Sequence, residues 1–121
     1  MRDKRPVRVI LSGQAKEAFE ELNRVVESQL SKGISNSEEI QLLKSIKEKS
    51  ERIKADPTCG DNIPHRLIPK TLEVSNLFRI GLTGYWRMLY TLDGNRVEVV
   101  AFILYLVDHP TYDKLFGYKK R

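Results

Sequence analysis

The residues best suited to chemistry are two arginines, Arg79 and Arg87, in the segment Asn76–Leu92 of a 121-residue chain. In its second half Trp86, Met88, Tyr90 and Leu92 fall on one face, and Tyr85, Arg87, Leu89 and Thr91 on the other. That is the period of a strand. In its first half Phe78, Ile80 and Leu82 share a face and Arg79 points away. The pattern predicts a β-hairpin with a three-residue loop, Leu82-Thr83-Gly84, in which Gly84 supplies the left-handed residue. This pairing sets Ile80 opposite Trp86 and Arg79 opposite Arg87. Like charges placed so cost roughly 0.2–1 kcal/mol, and a phosphate between them reverses the sign. The plain alternative is that both arginines only keep an outer face wet, with Glu98 as a partner.

The same face and the tail also offer Arg8, Glu98, His109, Tyr112, Lys114 and Tyr118, with Lys119 and Lys120 beyond. Cleaving RNA through its own 2′-hydroxyl needs a base for that hydroxyl, cations for the phosphorane and an acid for the departing oxygen. Arg79 and Arg87 suit the cationic role, because a guanidinium matches phosphate with two parallel hydrogen bonds. His109 suits acid or base because histidine is the side-chain type that changes charge near neutrality, with Glu98 as an alternative base. Tyr112 is a further candidate proton donor. Arg8, Lys114, Lys119 and Lys120 are candidate phosphate ligands, and Tyr85 and Phe102 could stack on bases. Each has a plainer reading: His109 begins a helical turn before Pro110, the tyrosines pack, and the terminal lysines form a frayed basic end. His65-Arg66 is a weaker phosphate contact. No phosphate-cradling glycine loop, nucleophile elbow or metal-ligand helix is present, so metal-dependent and kinase-like chemistry are disfavoured.

The elements that must position these residues follow from pattern. Val7, Val9 and Leu11 alternate into a first strand ending at Ser12-Gly13. Ala15, Ala18, Phe19, Leu22, Val25, Val26 and Leu30 recur at helical spacing up to Gly33. Ser35 and Glu38 predict a capping box for a second helix carrying Ile40, Leu43, Ile46 and Ile53. So short a connection predicts an antiparallel helical hairpin. Residues 56–69 hold Pro57, Gly60, Pro64 and Pro69 and read as irregular. Strands at about 74–82, 85–92 and 96–108 follow, the last two joined at Asp93-Gly94-Asn95. In the final strand Val97, Val99, Ala101, Ile103, Tyr105 and Val107 are in phase with the core, while Val100, Phe102, Leu104 and Leu106 form a second apolar face. That second face requires a cover, from the tail and from a partner protein. The expected fold is α+β, in the order β-α-α-β-β-β, with the helical hairpin packed on a small, largely antiparallel twisted sheet as one domain over 1–121.

Net charge is +5, with +3 in residues 1–13, −1 in 14–56 and +3 from residue 79 onward. The two basic segments are both read as strands, so positive potential collects on the sheet, which favours an acidic partner such as nucleic acid. Cys59 is the one cysteine, which excludes an internal disulfide, and His65 and His109 lack zinc-like spacing. The longest apolar run, Val99–Val107, is far short of a membrane span. The lone cysteine makes a cytoplasmic location the expectation, and the N-terminus lacks the apolar stretch of a signal peptide.

With these residues in view, the sequence resembles the RelE/ParE superfamily of toxins from bacterial and archaeal toxin–antitoxin pairs. The likeness covers almost the whole chain by element order. It is sharpest in Phe78-Arg79-Ile80, in Gly84-Tyr85-Trp86-Arg87-Met88-Leu89-Tyr90 and in His109-Pro110-Thr111-Tyr112, and the tail Tyr112–Lys120 looks like an archaeal-type branch. The resemblance implies an RNase-like fold without cofactor or metal and a cognate antitoxin partner. For RelE-like members it implies cutting of mRNA on the ribosome. By position it places Arg87 at the scissile phosphate, Arg79 on the preceding strand, and His109 and Tyr112 in the acid–base region. A lysine pair typical of RelE is missing from the first hairpin strand. ParE-like members block DNA gyrase without nuclease chemistry, and a non-toxic interaction module is the remaining alternative.

Overall fold

In the computed structural model, which describes residues 4–117, the chain runs β1 (Val7–Leu11), α1 (Gly13–Ser31), α2 (Glu38–Ala55), β2 (Asp61–Asn62), β3 (Phe78–Gly81), β4 (Arg87–Gly94), β5 (Val99–Val107) and α3 (His109–Leu115). Tyr118, Lys119 and Lys120 lie outside the described residues. The expected α+β order is present, with β2 and α3 added to it. The five strands form one sheet in the order β1-β5-β4-β3-β2, in which β1 runs parallel to β5 and the other pairs are antiparallel.

The helical hairpin covers one face. Ala15, Leu42, Ile46 and Ile53 pack there on Phe78, Ile80, Met88, Tyr90, Ala101 and Ile103. The cap of α2 is Ser37, not Ser35: its hydroxyl accepts from the Ile40 N–H at 3.1 Å and donates to Gln29 Oε1 at 2.6 Å. Serving both an orphan amide of α2 and a side chain of α1, Ser37 fixes the angle between the helices. Glu38 and Glu39 in the first turn and Arg52 and Lys54 in the last complement the helix dipole.

Leu77, Leu89, Val107, Ile63 and Tyr112 form a second core on the opposite face, flanked by Ile68, Leu72, Val74, Leu115 and Phe116. The second side of β5 is therefore covered at Leu104, Tyr105 and Val107 by α3 together with residues 63–77, from within the chain. The strand expected from residue 74 is confined to Phe78–Gly81, and residues 74–77 are irregular.

Two registers differ from expectation. Leu89 pairs with Tyr105 while Tyr90 pairs with Ile103, so Leu104 is an extra residue in β5. The bulge reverses the strand's phase. Leu106 joins the helix-side core while Tyr105 and Val107 turn to the second one. Val97 lies before the strand and is 73% exposed, because the β4–β5 turn is Asn95–Glu98, two residues beyond the expected site. Asn95 Oδ1 closes it by accepting from the Val97 and Glu98 amides at 2.7 and 3.0 Å. No helix among the described residues is long and apolar enough to cross a membrane.

Candidate functional site

Arg79 faces the second side of the sheet because Phe78 and Ile80, its neighbours in β3, are committed to the helix-side core. The expected pairing of Arg79 with Arg87 is not found. Arg79 pairs with Leu89, and Arg87 pairs with Gly81. The turn is Thr83-Gly84-Tyr85, closed by the Leu82 N–H to the Trp86 carbonyl at 2.8 Å. Tyr85 takes a left-handed conformation (φ 64°) immediately after Gly84 (φ 69°), which moves the turn one residue on and the pairing two. A shift of two keeps every side chain on its face. The arginines therefore become diagonal neighbours on the same surface.

Their guanidinium groups meet at Tyr112. The Arg79 Cζ lies 5.8 Å from the centroid of that ring and the Arg87 Cζ 5.5 Å. Tyr112 is delivered by α3, whose first turn is capped by Asp108 accepting from the Thr111 N–H at 3.0 Å. The ring stacks on Phe116 at 4.5 Å and is 4% exposed. Its hydroxyl accepts from Arg79 Nη1 at 2.9 Å, while Arg79 Nη2 lies 3.3 Å from the carboxylate of Asp61. The Tyr112 hydrogen bond holds the Arg79 pKa above its ordinary value against the opposing effect of burial, and Asp61 adds to it.

Asp61 comes from β2, directly opposite Arg79 in the register. Sequence reasoning missed it, because a two-residue strand has no periodicity to reveal it. The approach to β2 is tight. A Cβ on Gly60 would lie 2.9 Å from the Tyr90 hydroxyl and 3.0 Å from the Arg79 carbonyl, so only glycine fits. His109 sits on α3 one turn before Tyr112, half exposed, with Nδ1 3.6 Å from Asp113 Oδ2. Lys114 is exposed on the same helix.

Arg8 and Glu98 are not part of this cluster. They form their own ion pair at 3.0 Å. Arg8 pairs with Val100, which in turn pairs with Asp93 of β4, four residues from Leu89 in the Arg79 row. At about 3.3 Å per residue this separates the two groups by roughly 13 Å along the sheet. Phe102 lies midway between them, paired with Thr91 and Ile10. Tyr85 is 81% exposed at the turn and borders an apolar groove of about 660 Å³ on the helix side, lined by Leu22, Val25, Leu42, Ile46 and Trp86 and rimmed by Glu21, Glu38 and Glu39. His65 and Arg66 are exposed in the 63–77 cover. Among the described residues no group of three or more His, Cys, Asp and Glu side chains is placed to hold a metal ion.

Two guanidinium groups at one aromatic ring, both partly exposed, make a site for an anion with several oxygens, such as a phosphodiester. No family model matches the chain, and no curated protein matches it. Among solved structures it is similar to the YoeB/ParE toxin from Agrobacterium tumefaciens, with a TM-score of 0.58 at 12% identity, over 84% of this chain and 98% of that one. With three helices on a mixed five-stranded sheet among the described residues, the chain shares the fold of that toxin.

Proposed function

We propose that this protein is the toxin of a toxin–antitoxin pair, a metal-independent and ribosome-dependent endoribonuclease acting on mRNA in the cytoplasm as a single domain. The observation that carries the reading is the convergence of Arg79 and Arg87, both partly exposed, on Tyr112, with His109 one helical turn away. In this reading Arg87 and Arg79 bind the scissile phosphate and stabilise the charge that builds on it. His109, oriented by Asp113, moves the proton. Arg8 and Lys114, with Lys119 and Lys120, assist by attracting the phosphate backbone. Glu98, held by Arg8 at the far end of the sheet, is a poorer base than His109.

A cognate antitoxin is the proposed protein partner. The acid-rimmed apolar groove supports this, since on a chain of net charge +5 it suits a basic segment with an apolar face. The test is expression of Arg87→Ala beside the wild type, with mapping of mRNA ends on translating ribosomes. Loss of cutting and of growth arrest in a folded variant supports the reading, and full toxicity in that variant overturns it.

A ParE-type toxin that binds gyrase without hydrolysis is the second reading. It draws on the burial of Tyr112, which leaves that residue poorly placed for proton transfer. A supercoiling assay with purified protein separates the two, because only this version blocks gyrase while sparing translated messages.

A further inference from the structure

We infer that Tyr112 and Asp61 are positioning residues for Arg79, gripping its guanidinium from two sides so that the remaining edge is presented, beside Arg87, to a phosphate. The phosphate's source rests on the nuclease reading above; the grip itself rests on geometry alone. A guanidinium carries five N–H donors. One on Nη1 is taken by the Tyr112 hydroxyl and one on Nη2 by Asp61, which leaves three for a ligand. The two holders come from different elements, β2 and α3, and each has its own anchor. Asp61 is set by strand pairing directly across from Arg79. Tyr112 is set by its stack on Phe116 and by the Asp108 cap at the start of its helix.

Tyr112 does not serve as the proton donor. Its ring is 4% exposed, its oxygen already accepts from Arg79, and its face also serves Arg87. A departing oxygen has little approach to such a phenol. A long, rotamer-rich arginine held in advance loses less freedom when the phosphate arrives, so the grip strengthens binding without adding a contact to the ligand.

The experiment uses the full chain and three readouts: the mobility of the Arg79 Nε–Hε group by NMR, affinity for a non-cleavable 2′-O-methyl RNA, and the pH profile of single-turnover cleavage on ribosomes. Tyr112→Phe keeps the ring and removes the oxygen. It is expected to loosen Arg79, weaken RNA binding about three- to tenfold and leave the shape of the pH profile unchanged. Asp61→Asn, at an exposed position, is expected to loosen Arg79 to a smaller degree with no loss of fold. An Arg79 equally ordered in Tyr112→Phe overturns the inference. So does a variant that binds RNA normally yet has lost cleavage or one limb of the profile, the signature of a proton donor. If Tyr112→Phe loosens Arg79 but the wild type has no affinity for the RNA, the grip stands and the nuclease reading falls.

Discussion

Replacing Tyr90 by phenylalanine removes one oxygen and orphans two backbone groups. Tyr90 has no exposed surface, and its hydroxyl donates to the Pro57 carbonyl at 2.7 Å while accepting from the Gly60 N–H at 3.0 Å. Each unsatisfied buried group costs about 1–3 kcal/mol, and the partial exposure of the loop lets water offset some of it, so the expected loss is about 2–4 kcal/mol. For a domain whose whole stability is of order 5–15 kcal/mol, that is a large share. In urea the midpoint should fall by about 1–2 M with an unchanged slope. The loss also has a place. Gly60 precedes Asp61, so the loop that Tyr90 ties down carries one of the two holders of Arg79. Hydrogen exchange at Gly60 and along β2 should quicken before the rest of the sheet. An unchanged midpoint together with unchanged exchange at Gly60 would refute the account of this hydroxyl as the latch of residues 57–60.

Burial pushes the Tyr90 phenol above its ordinary value of 10.0, so the folded chain holds a proton that the unfolded chain releases. Stability from this group is complete below that pH and declines as alkali is added, and pH-dependent urea titrations should show the decline in the wild type and its absence in Tyr90→Phe. Asp108 shifts the other way, because the hydrogen bonds from Thr111 hold its carboxyl below the ordinary 3.8. Its contribution is present above that value and disappears as acid protonates it, so Thr111 and Tyr112 amide signals should report a loosened α3 at low pH, and Asp108→Ala should show this at neutrality. Tyr85 holds a left-handed conformation at an exposed turn, which costs a non-glycine residue about 1 kcal/mol; Tyr85→Gly should raise stability by about 0.5–1 kcal/mol in the same denaturation assay.

Local pattern carried the long elements. The 3/4 spacing from Ala15 to Leu30 and from Ile40 to Ile53 marks α1 and α2, and the alternation Trp86–Leu92 marks a strand with Arg87 on its outer side. The apolar second face of β5 correctly implied a second layer over the sheet. What pattern could not reveal were events that turn on one residue. A tyrosine taking the left-handed place after Gly84 moves the hairpin register by two, and propensity assigns that place to the glycine. The extra Leu104 leaves no mark in a run that is apolar throughout. Ser35 and Ser37 both precede Glu38, and only tertiary contact with Gln29 selects the second. Arg8 and Arg79 share a face, yet distance along a face follows from which strand rows pair, and the sequence of either strand does not contain that.

The supernumerary Leu104 also governs what lies downstream. Were β5 to pair without the bulge while keeping Leu104, strict alternation would swing Leu106 away from the helices and send Val107 toward them. Asp108, and with it the whole of α3, would then leave β5 toward the other face. The phenol ring that gathers two cations would be carried off the surface that holds Arg79 and Arg87, although no residue of the cluster had been altered. Removing Leu104 outright has the opposite result, because Ile103 and Tyr105 then follow one another on the faces they already occupy. A single leucine thus acts as the phase-setter between scaffold and surface, and one residue inserted between Tyr105 and Val107 should be far more damaging than the loss of Leu104.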